Sequence, residues 1–402
     1  MEVNHLKVDC QGGSSKFFSF PSWIYLKIYT TNIENFRMIR HNLTILIEKG
    51  QKMKRFLLFS LLTLCFLSLI FWEPCMAGPF KRPLSFQQIT QKEGLSSDMV
   101  LAIAVQGEAV WFGTYEGGAT LYDKTKKIYK HYTTKGEPVV KVDDGESIRW
   151  KNHLAYNHVS VITPDMDRLW FGTYFYGFGG GGISYYSTAR NPQWKTFNTN
   201  DGRAKKVNAI AVDGESLWVG SEKGLSLLDK KTDGWKQFLS TRDGLSGNFV
   251  NSILVEPDFV WMATSGGISR IQKTKRVWKN YSTKEGLTET EIKVLAKVGQ
   301  KIWAGGIGGN LFEYDSASDQ WKRLEPTDSL KNGGIQSIAV TQEKVIICRD
   351  SGVSLYDLPS RQWESLTTAD GLLSNSVFCA AEDKGGIWFG MDKGASQLII
   401  KP

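Results

Sequence analysis

Residues 250–282 read VNSILVEPDFVWMATSGGISRIQKTKRVWKNYS. Four short runs rich in branched and aromatic residues follow one another here: 250–255, 260–264, 267–271 and 277–282. Turn residues such as Gly266-Gly267 separate them, so each run is expected to be a strand. Four strands in about 42 residues is the size of one propeller blade.

The unit recurs along the chain. Its second run carries W-F-G-T or a variant at Trp111-Phe112-Gly113-Thr114, Trp170-Phe171-Gly172-Thr173 and Trp218-Val219-Gly220-Ser221. It returns at Trp261-Met262-Ala263-Thr264, Trp303-Ala304-Gly305-Gly306 and Trp388-Phe389-Gly390. A degenerate copy stands at Ile346-Ile347-Cys348-Arg349 and keeps its later glycine, Gly352. That makes seven copies, spaced 59, 48, 43, 42, 43 and 42 residues apart. A D-G-L-S-x-N-x-V element leads into the units, as in Gly94-Leu95-Ser96, Asp243–Asn248, Glu285-Gly286-Leu287 and Asp370-Gly371-Leu372. An aromatic residue ends them: Tyr129, Trp194, Trp235, Trp278, Trp321 and Trp363. One such unit cannot bury both faces, so the units must stack around an axis. The repeated tryptophans then serve inter-blade packing.

The two ends fit together. The last unit stops at its third strand, 397–400. Residues 85–95, SFQQITQKEGL, align with 277–287, VWKNYSTKEGL, and put Phe86 in the place of Trp278. The expected fold is therefore all-β: a seven-bladed propeller over 84–402. The strand at about 84–90 completes the last blade, and closure removes the exposed sheet edge.

The first 77 residues are expected to lie outside this fold. Met53-Lys54-Arg55 precedes an uncharged apolar run, Phe56–Trp72, and then Cys75-Met76-Ala77. This is the layout of a secretory signal peptide at 53–77, cleaved after Ala77; an uncleaved anchor is the alternative. Glu48-Lys49-Gly50 must be encoded by a purine-rich stretch just ahead of Met53. Translation is thus expected to begin at Met53, with 1–52 a disordered extension arising from a misassigned start. The expected location is the periplasm or outside the cell, with membrane contact only through an uncleaved N-terminal segment.

Composition narrows the function. Past Ala77 the chain holds 40 Lys/Arg against 36 Asp/Glu with no dense basic stripe, which argues against nucleic acid. Cys348 and Cys379 are the two cysteines there; they could pair, or act as small buried hydrophobes. There is no phosphate loop, H-E-x-x-H, Cys-x-x-Cys or G-x-S-x-G, so no cofactor, metal or catalytic residue is assigned. Asp243, Asp370 and Asp201 are expected to cap turns, and His131 to be a solvated strand residue.

The W-F-G-T motifs at Trp111 and Trp170 and the D-G-L-S-x-N motif at Asp243–Asn248 resemble the two-component regulator propeller repeat, over roughly residues 84–402. The resemblance implies a bacterial extracytoplasmic sensor-type propeller. In that family the propeller is commonly the ligand-sensing part of a membrane histidine kinase. This sequence runs to Pro402 without a kinase core, which leaves a stand-alone binding module.

The repeat breaks twice, both times at blade two. An insertion after Tyr132 reads as a small projecting hairpin through Val139–Val142 and Ser147–Trp150. A second fills the loop between the blade's second and third strands, Tyr174–Gly182. In an up-down blade both lie on one face. They gather the candidate ligand-binding residues Trp150, His153, Tyr156, Asn157, His158, Tyr174, Phe175, Tyr176 and Phe178 beside the channel mouth. Aromatic loops on a rigid scaffold can stack on a glycan or anchor a peptide. A second candidate is the ring two residues before each first strand: Asp98, Asn157, Lys205, Asn248, Thr290 and Asn375. Turn capping is its simpler role. The expected function is non-enzymatic binding of a glycan, a peptide or an envelope protein. A propeller-type polysaccharide lyase or hydrolase and a structural partner in an envelope assembly are the alternatives.

Overall fold

The computed structural model describes residues 84–134, 140–141, 154–174, 181–189, 192–198, 204–328 and 333–400. It also describes a hairpin of Val3–Asp9 paired with Ser15–Pro21, in a separate unit spanning Met1–Lys81. The expected export segment, 53–77, lies outside the described residues.

Seven antiparallel sheets make up the second unit. Their first strands are Val100–Gln106, His158–Asp165, Val207–Asp213, Val250–Val255, Ile292–Val298, Ile335–Val340 and Val377–Asp383. Each is followed by three more in simple up-down order, except in the last sheet. There Gly394–Ile399 takes Ser85–Ile89 as its outer neighbour, with Phe86 opposite Leu398 and Ile89 opposite Ala395. The seven-bladed ring and its closure by the N-terminal strand are as the repeats predicted.

Side-chain contacts repeat that closure. Asn280 Nδ2 donates to Gly244 O at 3.0 Å, and Gln88 Nε2 reaches Gly371 O at 3.4 Å from the matching position. His131 occupies the same position in blade one, with Nε2 2.7 Å from Gly94 O. It is a half-buried turn staple, in place of the solvated residue expected.

The core is not central but divided among the blade interfaces. Trp261, Ile268 and Tyr281 of blade four pack on Leu295, Ile302, Phe312 and Trp321 of blade five. Ile89, Trp388 and Ala395 of blade seven meet Val100, Val110 and Phe112 of blade one in the same way. Trp111, Trp170, Trp261 and Trp388 are fully buried, which fixes their role as packing. Burying a large apolar side chain contributes about 1.5–3 kcal/mol.

Three local features depart from the bare repeat. Val140–Lys141 pairs with Tyr129 and Lys130 as a fifth, outermost strand of blade one. Residues 140–141 of the insertion after Tyr132 thus cover an open sheet edge, and the rest of the expected hairpin, Ser147–Trp150 included, lies outside the described residues. Cys348 and Cys379 are free thiols, the second of the two readings. In the degenerate copy, Arg349 replaces the usual threonine and is fully buried. Its Nη1 donates to Gly333 O at 2.6 Å and to Gly309 O of the preceding blade at 3.3 Å. A guanidinium, unlike a hydroxyl, spans that gap between blades.

Candidate functional site

The first strand of every blade carries a β-bulge at the same point. In blade one Val100 pairs with Thr114 and Ala102 with Gly113, so Leu101 is left over. The same break skips Ser160, Asn208, Asn251, Lys293, Gln336 and Phe378. A bulge re-aims the unpaired residue and bends its strand. All seven skipped residues line one cavity of about 580 Å³, the central channel. Channel lining is thus set by one backbone irregularity repeated seven times.

Part of this ring is bonded from blade to blade. Ser160 Oγ donates to Val207 O, Asn208 Nδ2 to Val250 O at 3.5 Å, and Asn251 Nδ2 to Ile292 O at 2.9 Å. Each acceptor is the first strand residue of the next blade. These bonds satisfy bulged carbonyls and hold blades two to five in phase.

At one edge of the channel stand His158 and Tyr174, the first and last residues of paired strands in blade two. Their rings lie 3.5 Å apart between centroids, and Tyr115 of blade one stands edge-on to His158 at 4.5 Å. His158 is 5 % exposed, and burial lowers its pKa to about 4, so the imidazole is neutral at neutral pH. Tyr156 is half-buried in the link between blades one and two. Asn157 Oδ1 accepts from Thr134 N at 2.7 Å. Trp150, His153, Phe175, Tyr176 and Phe178 lie outside the described residues.

Three further members of the other polar ring cap turns. Asp98, Asn248 and Asn375 accept from Gln91 N, Thr241 N and Thr368 N at 2.7–2.8 Å. Asp243 and Asp370 likewise accept from Ser240 N and Thr367 N. Asp201 lies outside the described residues. What sequence reasoning missed is the bulge ring, three residues further along each blade. Its signal was present as the residue following each leading Val or Ile. That residue varies from Leu to Lys and so matches no motif.

Chemically the channel offers hydrogen-bond groups, one ammonium and apolar surface. Among the described residues no group of three or more His, Cys, Asp or Glu could hold a metal ion.

No family model and no curated protein matches the sequence. Solved structures do. One is the extracellular domain of a protein assigned as a hybrid two-component system in B. thetaiotaomicron. It is 20% identical, with a TM-score of 0.62 over 79% of this chain and 41% of that one. A second, the extracellular domain of an assigned one-component system of the same organism, is 18% identical, with a TM-score of 0.60 over 79% and 44%. A third is YCF48 bound to a D1 peptide, 12% identical, with a TM-score of 0.55 over 81% and 97%. The likeness is one of fold, and this chain spans less than half the length of the first two.

Proposed function

We propose that this protein is a non-enzymatic, sensor-like binding propeller that acts outside the inner membrane. Its ligand is a glycan or peptide, taken up where blade two meets the channel mouth. The observation that carries this reading is the convergence of His158 and Tyr174 on the channel edge, with Tyr115 beside them. Aromatic surface with polar tips on a rigid frame suits stacking on a sugar or holding a side chain. The export segment expected at 53–77 agrees with an extracytoplasmic role. So does the sharing of the fold with extracellular domains of bacterial signalling proteins.

The test is a glycan array and a peptide library, probed with the secreted chain and with its Tyr174→Ala, Trp150→Ala and Tyr176→Ala variants. The wild type should capture members of one class. The variants should lose that capture while keeping the thermal unfolding midpoint. Normal capture by all three variants sinks the blade-two site.

A further inference from the structure

The channel wall is chemically lopsided. On blades five and six, Lys293 and Gln336 line it without a hydrogen bond or ion pair to any described residue. Lys293 is half-buried, and burial pushes its ammonium below the usual lysine range against the opposing pull of exposed Glu291. A charge withdrawn from water and only partly offset by Glu291 is costly, and a bound anion would offset more of that cost.

Blades three and four present the opposite kind of group. Asn208 and Asn251 each give one amide N–H to the backbone, and their carbonyl oxygens can accept from a ligand in the channel. Leu101 of blade one and Phe378 of blade seven supply apolar surface across the ring. A cationic corner, an arc of acceptors and an apolar wall therefore surround one space of about 580 Å³. That volume is of the size that small-ligand sites take.

We infer that Lys293, flanked by Gln336, is a carboxylate-recognition centre in the channel and that its ligand is an acidic sugar. The carboxylate sits on Lys293 and Gln336. Hydroxyls donate to Asn208 and Asn251, and a ring face rests on Phe378. A sugar presents several hydroxyl donors around one ring, which matches acceptors on consecutive blades. A peptide C-terminus presents a single N–H near its carboxylate. This rests on the binding reading above and deepens it, extending the mouth at His158 and Tyr174 inward along the channel.

Calorimetric titration of the secreted chain with D-galacturonate and D-glucuronate, against D-galactose and D-glucose, tests the assignment. One uronate should bind at least about ten-fold tighter than its neutral counterpart, as expected for a charge-assisted contact. Lys293→Met should remove that preference, bringing uronate and neutral sugar to equal affinity. Lys293→Arg, which keeps the charge, should retain the preference, and this arm stands if the methionine variant folds poorly. Uronates that bind no tighter than the neutral sugars, or as tightly to Lys293→Met as to wild type, overturn the assignment. Capture of a peptide that Tyr174→Ala abolishes, with no uronate bound, also overturns it while leaving the mouth reading intact.

Discussion

Lys124 Nζ lies 2.6 Å from Asp383 Oδ1, an ion pair that joins the first blade to the last. The other oxygen of the same carboxylate accepts from Trp388 Nε1 at 3.1 Å. The arrangement repeats around the ring. Asp165 accepts from Trp170 and from Lys230 of blade three, and Asp213 from Trp218 and from Lys273 of blade four. Glu256 likewise accepts from Trp261 and from Lys297 of blade five. The seam of the propeller is therefore held by the same clip as three of its continuous interfaces, those of blades two–three, three–four and four–five.

Asp383→Ala should lower stability by about 3 kcal/mol, because it strips the indole and a largely buried lysine of their shared acceptor. Asp233→Ala, at the half-exposed Lys195–Asp233 pair, should cost less than about 1 kcal/mol. Urea unfolding midpoints of the two variants would compare them. Equal losses would show that the clip does not hold the seam.

Closure by the N-terminal strand also has a steric signature. Gly371 adopts φ +113°, and a Cβ there would stand 2.8 Å from the Phe86 ring. Gly371→Ala should therefore destabilise by more than about 1 kcal/mol. Ile89→Ala, at a site 1 % exposed, should cost about 2–5 kcal/mol by leaving a cavity. Thermal unfolding of both variants checks this. Wild-type midpoints would mean that strand 85–89 is dispensable.

Stability should fall with acid through His158. Its pKa is about 4 in the fold against 6.5 for the free side chain, so the unfolded chain takes up the proton first as pH drops. The contribution is complete above pH 6.5 and is lost progressively as pH falls from 6.5 to 4. His158→Gln should flatten that part of the stability profile. An unchanged slope in denaturation between those pH values would contradict the burial argument.

The two propeller thiols should be inert. Burial pushes Cys348 up to about 12 and Cys379 well above the ordinary thiol range, which leaves little thiolate. Iodoacetamide at pH 8 should modify neither residue in the native protein and both in denaturant, as read by peptide mass mapping. Rapid native labelling of the fully buried Cys348 would show that the blade six–seven interface opens.

Much of the scaffold was legible because its signals are local. The W-F-G-T copies mark second strands, and the Asp-Gly-Leu turns mark blade links. Phe86 was matched to Trp278 from sequence alone, and each aromatic ring does lie over its linker glycine, Gly371 and Gly244. The candidate site was less so. His158 and Tyr174 do reach the channel edge, while the Asn157 side-chain oxygen accepts from Thr134 N across the blade one–two link. His131 looked solvated because its partner, Gly94, is 37 residues away.

The sequence by itself determined the strand period, the seven units and the fragment that closes the ring, since each follows from residue order and hydrophobic alternation. Only the tertiary structure decided what faces the axis. A bulge breaks alternation at one residue per blade, so Lys293, Gln336 and Phe378 read in sequence as ordinary strand positions. They share one space because closing the circle turns seven distant bulges toward the same line.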